Sequence, residues 1–235
     1  MRKNGQISES FLLGAVLACV GGFLDAYTYI CRGGVFANAQ TGNIVFLGIR
    51  LAQGRPRACL KYLIPILAFV AGVVIVELVR HHFRDNTRLH WRQVIIAFEI
   101  VILAVVCFIP QRETCNLAAN VLISFVCSLQ VQGFRKMNGR TFSTTMCTGD
   151  LRSAAEFFCT AALHRCPEDL AYGLQYLGVI LFFVLGAALG AVLTAAWGTH
   201  SMLVVCLGLA AAFALMFIGR CEDKCEDKED SQEHS

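Results

Sequence analysis

The sequence predicts an all-α membrane protein of six transmembrane helices, built as a 3+3 inverted repeat with a broken or re-entrant segment in each half. Three observations predict it. The 235 residues are 56% hydrophobic and 16% charged, whereas soluble domains average roughly 45–50% apolar and 25% charged. The apolar residues gather in runs long enough to cross a hydrocarbon core of about 30 Å, which takes about 20 helical residues. One polar motif also occurs twice, each time after a long apolar run and before a short one.

The first span is placed at 10–31. Its start imitates a lipoprotein signal, with Arg2 and Lys3 followed by an apolar stretch and Val16, Leu17, Ala18, Cys19. The run continues through Val20, Gly21, Gly22, Phe23 and Leu24, which is too long for a signal core and suits a membrane crossing. Further spans are placed at 60–80, 93–110, 115–134, 170–195 and 201–219. The chain then divides into an N-terminal segment 1–9, a first membrane repeat 10–110, a second repeat 111–219 and an acidic tail 220–235.

Orientation follows from the basic residues. With the N-terminus inside, the inner segments carry 14 Lys and Arg and the outer segments six, a bias that puts both termini in the cytoplasm. The net charge of +3 conceals this excess, because residues 221–235 hold seven of the 17 acidic residues. That tail alternates charges without apolar content and is read as disordered. Tyr29, Trp91 and Trp197 stand near predicted span ends and are read as interfacial anchors.

The repeated motif runs from Arg32 to Asn43 and again from Arg135 to Asp150. At a shift of 107 residues, Thr41, Gly42 and Asn43 fall on Thr148, Gly149 and Asp150, and Asp25 falls on Gln132. Farther on, Gly72 matches Gly186 at a shift of 114. The short segment Ile44 to Ala52 has nine residues, about 14 Å of helix, and contains Arg50. It does not cross the bilayer. Three crossings per half force the second half to insert upside down, and in such proteins the solute pathway lies between the halves, facing the helix breaks.

Three segments carry a resemblance: Gly21 to Tyr29, Gly33 to Asn43, and Gln132 to Arg140 with Thr144 to Asp150. At these residues the chain resembles the YoaK family of bacterial membrane proteins of unknown function, over roughly residues 10–219. The resemblance implies a six-span protein of the bacterial inner membrane and supplies no substrate, cofactor or catalytic residue. Asp150 stands where the family commonly has Asn, which adds a negative charge at the second motif.

The candidate substrate-binding residues are Asp25, Asn38, Gln40, Thr41, Gly42, Asn43, Gln132, Asn138, Thr145, Thr148, Gly149 and Asp150. Asp25 is a carboxylate inside an apolar span, where insertion costs about 2.5–3.5 kcal/mol, so it marks either a functional site or a polar lock between the halves. Residues two apart cannot share a helix face, so only one of Gln130 and Gln132 is expected to line the pathway, and Gln132 is preferred because it falls on Asp25 in the repeat. The Thr-Gly-Asn and Thr-Gly-Asp triplets stand before short helical patterns and read as helix caps. They read equally as half-helix N-termini aimed at a polar solute. Glu99, inside the third span, is a candidate proton carrier.

Other features receive structural readings. Glu77 is expected to pair with Arg80 three residues on, and Gly186 and Gly190 to permit close helix packing. His81, His82 and His90 among Arg80, Arg84 and Arg88 read as a topogenic loop, with lipid headgroups as a second reading. Twelve cysteines show no disulfide or zinc spacing, and Cys221 with Cys225 makes a poor metal site, so neither metal nor cofactor is expected. No phosphate-cradling loop or nucleophile motif is present, and the chain is expected not to be an enzyme. Its expected partners are the lipid bilayer and a small polar solute, with no nucleic acid and with self-association left open. The function read from these residues is transport or channel activity, against a non-transporting sensor or scaffold.

Overall fold

A computed structural model describes residues 11–82, 91–134, 136–137, 140–141 and 147–216. The N-terminal segment 1–9, the tail 220–235, Asn138 and Thr145 lie outside the described residues, as do Arg84, Arg88 and His90 of the histidine-bearing loop. The elements are α1 (Phe11–Cys31), α2 (Gln40–Ala52), α3 (Pro56–His82), α4 (Trp91–Cys107) and α5 (Glu113–Gly133). A two-residue antiparallel ladder follows, β1 (Lys136–Met137) with β2 (Arg140–Thr141). Then come α6 (Cys147–His164), α7 (Pro167–Trp197), the 3-10 turn Gly198–Ser201 and α8 at 202–216.

The described fold is helical throughout apart from that ladder. Among the described residues, four segments are long and apolar enough to cross a membrane: Phe11–Cys31, Pro56–His81, Glu113–Gly133 and the 50-residue run Pro167–Met216. The 3-10 turn divides the last of these into α7 and α8. α4 has 17 residues with Glu99 near its middle. α3 and α7 begin at Pro56 and Pro167, a few residues before the predicted spans. Proline at the first helical position carries no N–H to leave unsatisfied and presets φ for the helix.

The exposed faces are apolar, unlike those of a soluble fold. α1 sits at the centre, with 72% of its apolar window buried, whereas the windows of α3 and of Pro167–Met216 are 22% buried. Their outer faces expose Leu67, Val70, Val74 and Leu78 on α3 and Leu181, Leu185, Leu189 and Val192 on α7. Meanwhile Asp25, Thr28, Asn43, Asn120, Ser128 and Gln130 are buried. The core is itself largely apolar, with Leu17, Leu24, Ile96, Leu103, Ile123 and Leu209 fully buried around those polar residues, and an apolar exterior of this extent suits a hydrocarbon surround, because it is unfavourable in water.

α1 packs chiefly against α7, and α5 against α3; α2 lies on α3 and α6 on α7. α1 and α5 run antiparallel, as two hydrogen bonds establish. Gln130 donates to the Leu17 carbonyl near the start of α1, at 2.9 Å. Asn120, earlier in α5, donates to the Arg32 carbonyl just beyond the end of α1, also at 2.9 Å. Both glutamine and asparagine bonds tie side chains to backbone, so they fix helix height and not only proximity.

Arg32 is fully buried. Its guanidinium donates to the Tyr27 hydroxyl at 2.7 Å, to the Ile109 carbonyl at 2.9 Å and to the Val106 and Pro110 carbonyls at 3.3 and 3.2 Å. These carbonyls belong to the end of α4 and the turn after it, where the helix presents partial negative charge. A cation from the end of α1 therefore closes α4. Tyr27 also places its ring 5.5 Å from the guanidinium carbon.

Candidate functional site

The first break is built by α1. Gly33 and Gly34 take positive φ, 90° and 75°, a region open to glycine because it lacks a Cβ, and the chain turns back along α1 before α2 begins at Gln40. The residue before α2 is Ala39, whose side chain cannot cap a helix. Asp25 supplies the cap from within α1. Its Oδ1 accepts the Asn38 N–H at 2.8 Å and the Ala39 N–H at 3.2 Å, and its Oδ2 lies 3.2 Å from the same Ala39 nitrogen. One turn on, Thr28 accepts the Ala37 N–H at 3.2 Å and donates to the Leu24 carbonyl at 2.9 Å.

This arrangement corrects the expected cap. Thr41, Gly42 and Asn43 are not before α2 but in its first turn. Asn43 is buried and folds back on the loop: its Oδ1 accepts the Phe36 N–H at 3.0 Å, and its Nδ2 donates to the Phe36 carbonyl and to Gln40 Oε1. Gln40 donates in turn to the Ala37 carbonyl at 2.7 Å. Gly42 lies under the Phe36 ring, where a Cβ would overlap it. Thr148, Gly149 and Asp150 likewise occupy the first turn of α6, which starts at Cys147. The first residues of α2 and α6 stand 107 residues apart, the spacing of the repeated motif.

The two first turns meet across one cavity of about 570 Å³. Among the candidate residues, Asp25, Asn38, Gln40, Thr41, Thr148 and Gly149 line it. Gly42, Asn43 and Asp150 belong to the same first turns and are not on its wall, and Asp150 is buried. Asn38 is 6% exposed, and its amide has no hydrogen-bond partner among the described residues. The rest of the wall is largely apolar: Tyr29, Phe36, Phe69 and Phe183 face it.

Gln132 is not at this site. It donates to Glu77 on α3, and Glu77 also lies 3.7 Å from Arg80, the expected helix pair. The expected Asp25–Gln132 contact gives way because backbone N–H groups of the loop already occupy the carboxylate. Gln130, not Gln132, is the buried glutamine. Glu99 is fully buried in α4, away from the cavity wall, with neither carboxyl oxygen partnered among the described residues. Tyr29, read as an interfacial anchor, stacks on Phe36 with centroids 5.0 Å apart and lines the cavity. Trp197 is 56% exposed at the end of α7, as an anchor would be.

A family model described as a protein of unknown function, DUF1275, matches residues 13–216. The chain belongs to the DUF1275 family. A curated relative is the UPF0700 transmembrane protein YoaK of Bacillus subtilis (strain 168), 26% identical over 148 residues, covering 60% of this chain and 64% of the relative. The matched region thus spans less than two thirds of that protein. No solved structure matches the chain. With its apolar helices and a transmembrane relative, this DUF1275 protein is a membrane protein.

Proposed function

We propose that the protein carries a small polar solute across the membrane, as a transporter or channel, through the cavity between the first turns of α2 and α6. One observation carries this reading: α2 and α6, neither among the candidate spans, begin at the same largely apolar cavity of about 570 Å³. Irregular backbone at membrane depth is tolerated where it packs in protein or lines a wet cavity. With Asp25 holding the N–H groups before α2, the Thr41 and Thr148 side chains and the unpartnered Asn38 amide are the groups that would meet a solute. Catalysis by the chain is no part of the proposal, since the Asp25 carboxylate is committed to backbone N–H groups and poorly placed as a base.

The proposed architecture is the six-span 3+3 inverted repeat in a bacterial inner membrane, with both termini cytoplasmic. The antiparallel course of α1 and α5 supports it, as does the exchange of partners, α1 with α7 and α5 with α3. α2 has 13 residues, about 20 Å of helix, short of the roughly 30 Å hydrocarbon core. In a background without native cysteines, a membrane-impermeant maleimide should label Gln53→Cys from one side of the bilayer only, and Arg165→Cys from the other only. Labelling of both from the same side would sink the inverted arrangement.

Transport is tested by uptake and efflux from proteoliposomes across a panel of small solutes, with and without a proton gradient. Thr41→Val and Thr148→Val each remove a hydroxyl from the cavity wall at nearly constant volume. Each is expected to lower flux about tenfold, the effect of losing one hydrogen bond to a solute. Glu99→Gln is expected to abolish any response to the gradient while leaving flux itself in place. A sensor or scaffold is the second reading. It is favoured by how fully Asp25, Thr28, Gln40 and Asn43 satisfy the first break, and absence of flux for every solute in folded protein would select it.

A further inference from the structure

The six basic residues on the proposed outer side are not scattered. Five of them, Arg32, Arg50, Arg55, Arg57 and Lys61, line a second cavity of about 520 Å³, whose one acidic residue is Glu113. A tight reversal gathers them. α2 ends with Arg50 in its last turn, Gly54 takes φ 66°, and α3 starts at once with Pro56 and Arg57. The first turn of α3 holds no acidic residue, although a helix N-terminus favours anions and disfavours cations by about 0.3–1 kcal/mol each.

The charges are also uncompensated. Arg50 donates to the neutral Gln53 side chain at 3.0 Å, and Lys61 stands 5.8 Å from the Tyr62 ring centre. Among the described residues, neither these two nor Arg55 or Arg57 lies within ion-pair distance of a carboxylate. Arg32, at the inner wall, has given its donors to neighbouring oxygens and acts only through its charge. Asn120 is 1% exposed on the same wall. Its Nδ2 holds the Arg32 carbonyl, while its Oδ1 has no partner among the described residues.

We infer that this cavity binds a phosphate ester. The phosphate sits among Arg50, Arg55, Arg57 and Lys61 and supplies the missing countercharge at the start of α3, with charge-assisted bonds of the kind arginine makes to phosphate. Asn120 Oδ1 accepts a hydrogen from a hydroxyl or ammonium on the alcohol part of the ester. Two sources offer that chemistry, an anionic lipid headgroup and a soluble sugar or glycerol phosphate. Leu51 and Leu60, exposed beside the basic residues, would lie along the acyl chains of a lipid. The inference does not depend on transport through the other cavity.

The test uses the full chain in two arms. In detergent, calorimetric titration measures binding of glycerol phosphate and of inorganic phosphate. In nanodiscs of phosphatidylcholine with or without phosphatidylglycerol, native mass spectrometry measures retained lipid. Arg55→Gln with Arg57→Gln, and separately Lys61→Gln, are expected to weaken whichever binding occurs by about tenfold or more. Glu113→Gln should tighten it, and Arg152→Gln on α6 should leave it unchanged. Retention of phosphatidylglycerol alone assigns a lipid; titration by glycerol phosphate alone assigns a soluble ester; competition between them assigns one site open to both. No binding in either arm, or equal loss in Arg152→Gln and in the cavity variants, overturns the site.

Discussion

Gly186→Ala is expected to destabilise the protein by about 1–3 kcal/mol or more, read as a lower midpoint of thermal or detergent-induced unfolding. The added Cβ would overlap the Cys19 carbonyl oxygen of α1. Gly22 stands equally tightly against the Phe183 carbonyl, and Gly190 against the backbone of Phe23. These glycines let two helix backbones touch, the closest approach that apolar helices use to pack in a membrane. No side chain can turn away to admit the methyl, so α1 and α7 must separate. Both helices hold the cavity: α1 contributes Asp25 and Tyr29, and α7 contributes Phe183. An unfolding midpoint equal to wild type would show that the α1–α7 crossing has room for a methyl group.

The partner in the other half provides an internal control. Gly72 of α3, related to Gly186 at the 114-residue shift, faces α5, where its Cβ would overlap Ser128 Oγ and come within 3.0 Å of the Phe125 carbonyl. Here the first obstacle is a hydroxyl. Gly72→Ala should therefore be partly rescued by Ser128→Ala, whereas truncating the Cys19 side chain should not rescue Gly186→Ala. The asymmetry follows from what each glycine meets, a side chain in one half and backbone in the other.

What was legible in the sequence depended on how local its cause is. The long apolar runs gave α1, α3, α5 and the α7–α8 run, because crossing a hydrocarbon layer is a property of consecutive residues. The repeated triplets located the starts of α2 and α6 to within a few residues. Their role as caps did not follow, since the cap of α2 is a carboxylate more than a dozen residues earlier in the chain, and capping patterns report only on neighbours. The repeat position favours Gln132 over Gln130, yet α5 turns Gln130 inward and Gln132 towards Glu77. Tyr29 remains 47% exposed, as an interfacial residue would be, and the fold of the break, which brings Phe36 against it, adds a place in the cavity wall that its own position in the sequence does not show. The basic cavity is hidden for the same reason: Arg32 precedes α2, Arg50 stands in its last turn and Arg55, Arg57 and Lys61 follow it, so they line one cavity only through the course of α2.

Asp25 bears the largest expected consequence at the break itself. Asp25→Ala leaves the N–H groups of Asn38 and Ala39 without their acceptor inside the bundle. Hydrogen bonds to charged groups contribute about 1.5–3 kcal/mol each, and a buried donor left unmade costs its full desolvation, so a loss of about 3 kcal/mol or more is expected. Faster hydrogen exchange at Asn38 and Ala39 should accompany it, since the start of α2 loses its anchor to α1. Asp25→Asn separates geometry from charge. Its amide oxygen can still accept both N–H groups from the Oδ1 position, while its NH₂ must face the Ala39 N–H across the former Oδ2 contact. A loss nearer about 1 kcal/mol is expected, with the fold retained. If Asp25→Asn keeps its protection at Asn38 and Ala39 yet loses flux, the negative charge acts on the solute as well as on the helix. If both flux and protection survive, the carboxylate is a cap and the solute is recognised by the remaining wall. Equal stability of Asp25→Ala and wild type would remove the cap, and with it the reason α2 starts where it does.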